Sequence, residues 1–337
     1  LNSNPLFPVL ESISMRGKKL LVVHQGALGD FITAFPALNL LKRRYRKVDA
    51  VCQDRLGKLA SHLGAINSHF PSESAAVSSL FSETVHPDIQ RAVGSYHTII
   101  LFSFSETLKD AIRNLTAENI YRVAPRPEPQ EKMHVSIHLI TGLKAAGLLP
   151  DSMDPDRSLL LSTAGERGGF RFDASRIILH PGSGSPRKNW PIANYIQLAD
   201  MLNKKGKQPM FVCGPAEPEM IPTLAGSGYP VRQINDLIEL TECLRGSGGF
   251  IGNDSGVSHL SAHLGVPTTV VFGPSDSDRW RPVGRSVTVV QADPDCRPCF
   301  ETDKDRCESR DCLYAISPDK VLAGCLELSN KTKYTYT

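Results

Sequence analysis

At 337 residues the chain is longer than one hydrophobic core usually serves, so two domains of roughly 150 residues each are expected. Hydrophobic residues at 41% and charged residues at 22% place it with globular proteins and exclude the disordered and collagen-like classes. A net charge of +3 is too small to argue for nucleic acid, no run approaches the ~20 apolar residues that span a bilayer, and residues 1–17 lack a signal-peptide core, so a cytoplasmic protein is expected.

In chain order, LLVVH (residues 20–24) reads as a buried strand, followed by a tight turn over 25–29. Phe31, Ala34, Phe35, Leu38 and Leu41 then recur at helical spacing up to Arg44, with Pro36 predicted to kink that helix or to sit near its first turn. Strands are predicted at 48–52 and 97–102, a helix at 135–146, and a linker at 150–175, where Pro, Gly, Ser and alternating charge collect. The alternation then restarts with a strand at 177–180, a loop over 181–191 and a helix over 192–202. A strand at 209–213, a helix at 236–244, a strand at 250–251, a helix at 255–264 and a strand at 268–272 follow. Strand and helix in regular succession predict an α/β fold of two doubly wound, Rossmann-like domains, over 1–165 and 166–337, with an interdomain cleft. In such sheets ligands lie beyond the carboxyl ends of the strands, so the residues directly after each strand are the candidates.

Four such segments carry chemistry. Gly26, Ala27, Leu28, Gly29 and Asp30 join the first strand to its helix; small residues let a ligand approach the backbone, and Asp30 suits either a helix cap or a general base. This is neither a GxGxxG fingerprint nor a GxxxxGK[ST] loop. HPGSGSPRKNW, beginning at His180, concentrates Gly and Ser with Arg187 and Lys188, a set suited to a diphosphate. GNDSGVSH, beginning at Gly252, opens a helix at whose positive end Asp254, Ser255 and Gly256 stand, with His259 one turn on; a capping Asp and a core His are the alternative. His263 is read as structural. Glu217 and Glu219 follow the 209–213 strand, where a carboxylate can accept from ribose hydroxyls.

Two clusters stay open on residues alone. Lys42, Arg43, Arg44, Arg46 and Lys47 fit a solvated helix C-terminus, or contact with an anionic membrane surface or acidic acceptor. Of eight cysteines, Cys52, Cys213, Cys243 and Cys325 read as core, while Cys296, Cys299, Cys307 and Cys312 have a metal-like count at a spacing that matches no standard zinc pattern well.

Taken together, LLVVHQGALGDFITAFPAL, ILHPGSGSPRKNWP, FVCGPAEPE, FIGNDSGVSHLSAHLGVPTTVVFGPSD and CRPCF…CL resemble glycosyltransferase family 9, the ADP-heptose:lipopolysaccharide heptosyltransferases of Gram-negative bacteria. The resemblance implies a GT-B fold, the acceptor on the N-terminal domain and the nucleotide-sugar donor on the C-terminal one. It implies an inverting, metal-independent transfer of heptose from ADP-heptose to a lipopolysaccharide core or related glycolipid, with no cofactor and no metal. The partners so implied are the donor and a lipid-linked saccharide acceptor, with peripheral contact at the inner membrane left open. By the same likeness Asp30 matches the base that deprotonates the acceptor, with Gly26 and Gly29 in its loop. Ser183 and Lys188 match phosphate ligands, Glu219 the ribose ligand, and Asp254, Ser255, Gly256 and His259 the second part of the diphosphate cradle. The chain departs from the family where His24 and Gln25 replace its usual Arg or Lys, and residues 68–126 match no motif.

Two rivals remain: a metal-dependent transferase using a D-x-D pair, for which Asp276 and Asp278 follow a strand, and a nucleotide-sugar binding protein without turnover. A GT-B transferase using a different nucleotide-sugar is the nearer alternative. D-x-D also recurs at Asp154/Asp156, Asp293/Asp295 and Asp303/Asp305, as chance in loops would give.

Overall fold

The computed structural model describes residues 17–82, 84–116, 119–162, 171–292, 298–302, 307 and 309–333. They divide into two compact units. The first contains the described residues of Leu1–Gln25 with Pro36–Pro125 and Leu139–Ser158; the second contains Gly26–Phe35, Arg126–His138 and the described residues of Leu159–Thr337.

The first unit is built on β1 (Lys19–His24), β2 (Lys47–Cys52), β3 (His69–Pro71), β4 (Thr98–Phe102) and β5 (Asn119–Val123), paired in the order β3-β2-β1-β4-β5. Every pairing is parallel. β1 and β4 are buried almost throughout, as strands covered on both faces must be, which is why they read as continuous apolar runs. Leu21, Val23, Val51, Ile99 and Leu101 pack there against Ile89, Val93, Leu108 and Ile112 from the helices Pro87–Gly94 and Glu106–Arg113.

The second unit is built on β6 (Asp173–His180), β7 (Gln208–Cys213), β8 (Val231–Gln233), β9 (Ser247–Asn253), β10 (Thr268–Phe272) and β11 (Val287–Gln291), in the order β11-β10-β9-β6-β7-β8. Its ladders are parallel too. On one face Trp190, Tyr195, Leu198 and Leu202 meet Val321, Leu322 and Cys325 over the side chains of Ile177, Leu179, Phe211 and Ile251. In each unit the first strand lies centrally and the fourth beside it, so the chain's winding reverses between β1 and β4 and between β6 and β9. Such reversal points are where loops leave adjacent strands in opposite directions and open a crevice.

The expected linker over 150–175 is corrected: it contains the helix Pro155–Ser162 and the start of β6, with residues 163–170 outside the described set. Polar composition misled there because β6 begins on its exposed end, where Asp173 and Ser175 make a local turn bond of 2.9 Å. Pro36 lies inside the helix Leu28–Lys42, where it forgoes one backbone bond. The 250–251 strand extends to seven residues, because Gly248 and Gly249 suit a strand packed closely against its neighbour. Of the basic cluster, Lys42 bonds the Gly64 carbonyl and Lys47 pairs with Asp49 at 2.8 Å. Cys52, Cys213 and Cys325 are buried as expected, and Cys243 is half-buried.

Candidate functional site

β6 and β9 are hydrogen-bonded neighbours, with His180 opposite Gly252, so the loops that follow them start side by side. The residue joining them is Asn253, fully buried at the end of β9. Its amide nitrogen donates to the Pro181 carbonyl at 2.7 Å and lies 3.3 Å from that of Gly182, and its oxygen accepts from Trp190 N–H and Tyr195 O–H, each at 3.0 Å. Both ends of the 181–190 loop therefore hang on one amide. The Trp190 ring is fixed as well, its indole N–H donating to Ile316 O at 3.0 Å.

Across this frame the Lys188 ammonium, at the end of a short 3₁₀ turn, reaches the Asp254 carboxylate at 2.7 Å. Asp254 is buried and Lys188 only partly so, which leaves the cation an outward side. Ser255 caps the helix Gly256–His263, its hydroxyl accepting from Ser258 N–H, and Ser258 Oγ in turn donates to Asn253 O at 2.5 Å. The first amides of such a helix have no partner inside it and carry the positive end of its dipole. One ammonium and one helix N-terminus thus stand together at the β6/β9 reversal point, an arrangement suited to a diphosphate.

The first loop belongs to the same compact unit. A Cβ on Gly256 would come within 2.8 Å of Leu28 Cβ and 2.9 Å of the Gly29 backbone nitrogen, so only glycine permits this approach. A Cβ on Gly29 would meet Gly256 and His259 only at 3.5 Å, ordinary contact. Asp30 sits in the first helical turn, and its Oδ2 accepts from Ala27 N–H at 3.0 Å, the acidic half of a capping box. The cap and base readings are compatible, since a carboxylate that gives one oxygen to a cap keeps another.

His259 is buried between these loops; desolvation, opposed by the nearby Asp254 and Asp30 carboxylates, brings its pKa down to about 4, so it is neutral at neutral pH. Beside it His134 accepts Ser136 N–H at Nδ1 and lies 2.8 Å from the Arg281 carbonyl at Nε2, which assigns the proton to Nε2; burial lowers its pKa too. His263 packs edge-on against Phe35 and, through burial, is also lowered to about 4, in keeping with a structural residue.

Ser183 is engaged within its own loop, 2.7 Å from Ser185 O and 2.6 Å from Asn189 Oδ1. The two glutamates after β7 separate. Glu217 is buried against Gly182, accepts Gly214 N–H at 2.7 Å, and has its pKa raised by desolvation. Glu219 is exposed and lines a hollow of about 360 Å³ with Asn189, Trp190, Arg310 and Tyr314. Two D-x-D pairs are helix caps: Asp276 accepts Asp278 N–H at 2.9 Å, and Asp154 accepts Asp156 N–H at 3.0 Å. Asp293, Asp295, Asp303 and Asp305 lie outside the described residues, as does Cys296. Cys299 and Cys307 are half-buried and Cys312 is buried, and among the described residues no three His, Cys, Asp or Glu side chains are grouped to hold a metal.

Sequence reasoning assigned no role to Asn253, Arg279 or Phe300. Arg279 is buried, donating to the carbonyls of Pro127, Glu128 and Glu131 at 2.5–3.0 Å and pairing with Glu301 at 3.1 Å, so it anchors the segment that carries His134. A buried arginine leaves no mark in a local pattern. Asn253 did leave one, in the polar residue that ends an otherwise apolar strand.

Two all-parallel sheets with this strand order define a GT-B fold. It is shared with the family 9 glycosyl transferase of Veillonella parvula, at a TM-score of 0.74 and 19% identity over 95% of this chain and 100% of that one. A heptosyltransferase of Escherichia coli solved with ADP has a TM-score of 0.67 and 18% identity over 92% of this chain and 99% of that one. The sequence model of glycosyltransferase family 9 (heptosyltransferase) matches residues 151–308, which bears out the resemblance read from the motifs. Lipopolysaccharide heptosyltransferase 1 of Pseudomonas aeruginosa is 29% identical over 161 residues, 43% of this chain; the match spans 45% of that relative's length, less than two thirds of it. Lipooligosaccharide heptosyltransferase 2 of Campylobacter jejuni is 21% identical over 90% of this chain and 96% of its own length. Among the described residues no helix is long and apolar enough to cross a membrane.

Proposed function

We propose that this chain is a glycosyltransferase that passes heptose from ADP-heptose to a lipopolysaccharide core or related glycolipid acceptor, with inversion at the anomeric carbon. The observation that carries the reading is the Lys188–Asp254 pair at the capped start of the helix Gly256–His263, against which the Asp30 turn is packed. In this reading Lys188, Ser255 and Gly256 hold the diphosphate, with Asp254 holding Lys188. Ser183 and His259 complete the cradle, and Glu219 takes the ribose at the mouth of its hollow. The N-terminal residues 1–165 supply acceptor recognition and residues 166–337 the donor site, with Gly26 and Gly29 shaping the acceptor-side loop. The enzyme works in the cytoplasm, and the basic cluster after residue 41 would meet a membrane-bound acceptor.

The chemistry is one displacement. The acceptor oxygen attacks the anomeric carbon while the bond from that carbon to the diphosphate breaks. Asp30 takes the hydroxyl proton on the oxygen not used for capping, and the charge appearing on ADP is met by the ammonium and by helix amides already oriented toward it. Fixed positive groups of this kind can do the work of a cation, so transfer is expected to persist in excess EDTA.

Transfer from ADP-heptose, followed as ADP release with a glycolipid acceptor, tests the reading. Asp30→Asn can still accept Ala27 N–H but has lost its basicity, so turnover should collapse while ADP binding stays. Unchanged turnover would remove Asp30 from the reaction. A thermal-shift panel of ADP-, UDP- and GDP-sugars tests the donor, since a ligand of the folded state alone raises Tm; no response to ADP-sugars would overturn its assignment.

A further inference from the structure

The Lys188 ammonium has a second partner besides Asp254. It stands over the Phe300 ring, 4.3 Å from the centroid, and the Arg187 guanidinium carbon lies 5.7 Å from the same centroid. The segment that carries the ring is anchored. The backbone N–H groups of Cys299 and Phe300 both donate to Pro274 O at 2.9 Å, and the adjoining Glu301 pairs with buried Arg279 at 3.1 Å. Arg187 also reaches the Cys299 sulfur at 3.9 Å, so the 298–302 segment faces both cations of the 181–190 loop.

The two partners of Lys188 act differently. Asp254 holds the ammonium by neutralising it, and that pairing competes with any incoming anion. An aromatic face attracts a cation through its quadrupole and adds no net charge, so it holds the ammonium in place and leaves it available to an anion. A lysine on a four-carbon stem otherwise has many rotamers to lose on binding.

We propose that Phe300 is a positioning residue for the donor diphosphate: its ring and Asp254 together hold Lys188 where a diphosphate can meet it. This rests on Lys188 being a diphosphate ligand, as argued above, and extends it to a residue that acts through Lys188.

The test is ADP titration by calorimetry on the full chain, with Phe300 replaced by mono-, di- and trifluorophenylalanine, by Trp and by Leu. Fluorine drains the negative face of the ring in steps and scarcely alters its shape, so a purely structural role would give one affinity across the series. The expected result is a stepwise loss of ADP affinity with fluorination, a loss of about three- to tenfold in Phe300→Leu, and retention in Phe300→Trp. In a Lys188→Ala background the same replacements should have no further effect. Lys188→Ala alone checks the underlying reading. If it binds ADP like the parent, or if the parent binds none, the diphosphate assignment fails and the role of Phe300 with it. If Lys188→Ala loses affinity while the fluorine series stays flat, only the role of Phe300 is overturned.

Discussion

The two sheets repeat one winding, and their reversal points have been put to different uses. After β4 the chain makes a conventional turn: Ser103 accepts Ser105 N–H at 3.1 Å, and Ser105 accepts Leu108 N–H at 3.1 Å to cap the next helix. These two bonds are local, and Phe104 between them is half exposed. After β9 the same position holds Asn253, whose bonds run 58 to 72 residues along the chain and fix the neighbouring loop. Beyond it come a buried carboxylate, a capped helix start and a neutral histidine. A doubly wound sheet offers a crevice at every reversal; polar residues that cross-link the two loops turn one of them into a candidate site.

This contrast can be broken at several points. The largest effect is expected from Asp30→Asn, a fall in kcat of about 10²- to 10⁴-fold with ADP affinity kept, read by steady-state kinetics and calorimetry. Next, Asn253→Ala leaves the Trp190 and Tyr195 donors buried without their partner, at about 1–3 kcal/mol for each group, and should lower Tm and ADP affinity together. Ser103→Ala in the first sheet breaks only a local bond and should lower stability by about 0.5–1 kcal/mol, with ADP binding untouched; equal effects in denaturant unfolding would erase the contrast.

Lys188→Ala removes a charge-assisted contact worth about 1.5–3 kcal/mol and should weaken ADP by about ten- to a hundredfold. A smaller pair of effects comes from the glycines. Gly256→Ala must push apart Leu28 and the Gly29 backbone, at about 1–3 kcal/mol, whereas Gly29→Ala meets only ordinary contacts and should be tolerated in thermal unfolding.

Three histidines of the second unit give a pH signature. His180, His259 and His263 each have a folded pKa lowered by burial to about 4, against an ordinary value of 6.5. Between those values the unfolded chain binds more protons, so stability should be full above about pH 6.5 and fall as the pH drops toward 4. Denaturant midpoints that stay level over that window would refute it.

Much of the fold was legible because buried parallel strands write themselves as short apolar runs: residues 20–24, 209–213 and 268–272 were found within a residue of their true bounds. β3, β5, β8 and β11 were not found. β3 and β8 are only three residues long, and β5, β8 and β11 keep partly exposed side chains, so none presents a continuous apolar run. The candidate site was legible to the extent that its residues follow strands directly. Loops at strand ends have few reasons to combine Gly, Ser, Lys and Asp, so residues 182–188 and 252–259 stood out.

By itself the sequence determined the alternation of elements, the family likeness and the loops that hold Asp30, Lys188 and Asp254, because these depend on residues near one another in the chain. Only tertiary structure decided which residues share a partner. It grouped Gly26–Phe35 with the second unit, set Lys188 between Asp254 and Phe300, separated buried Glu217 from exposed Glu219, and gave Arg279 its carbonyls. Those pairings join residues up to 152 positions apart, and what selects them is close packing and the cost of leaving a buried polar group unmatched.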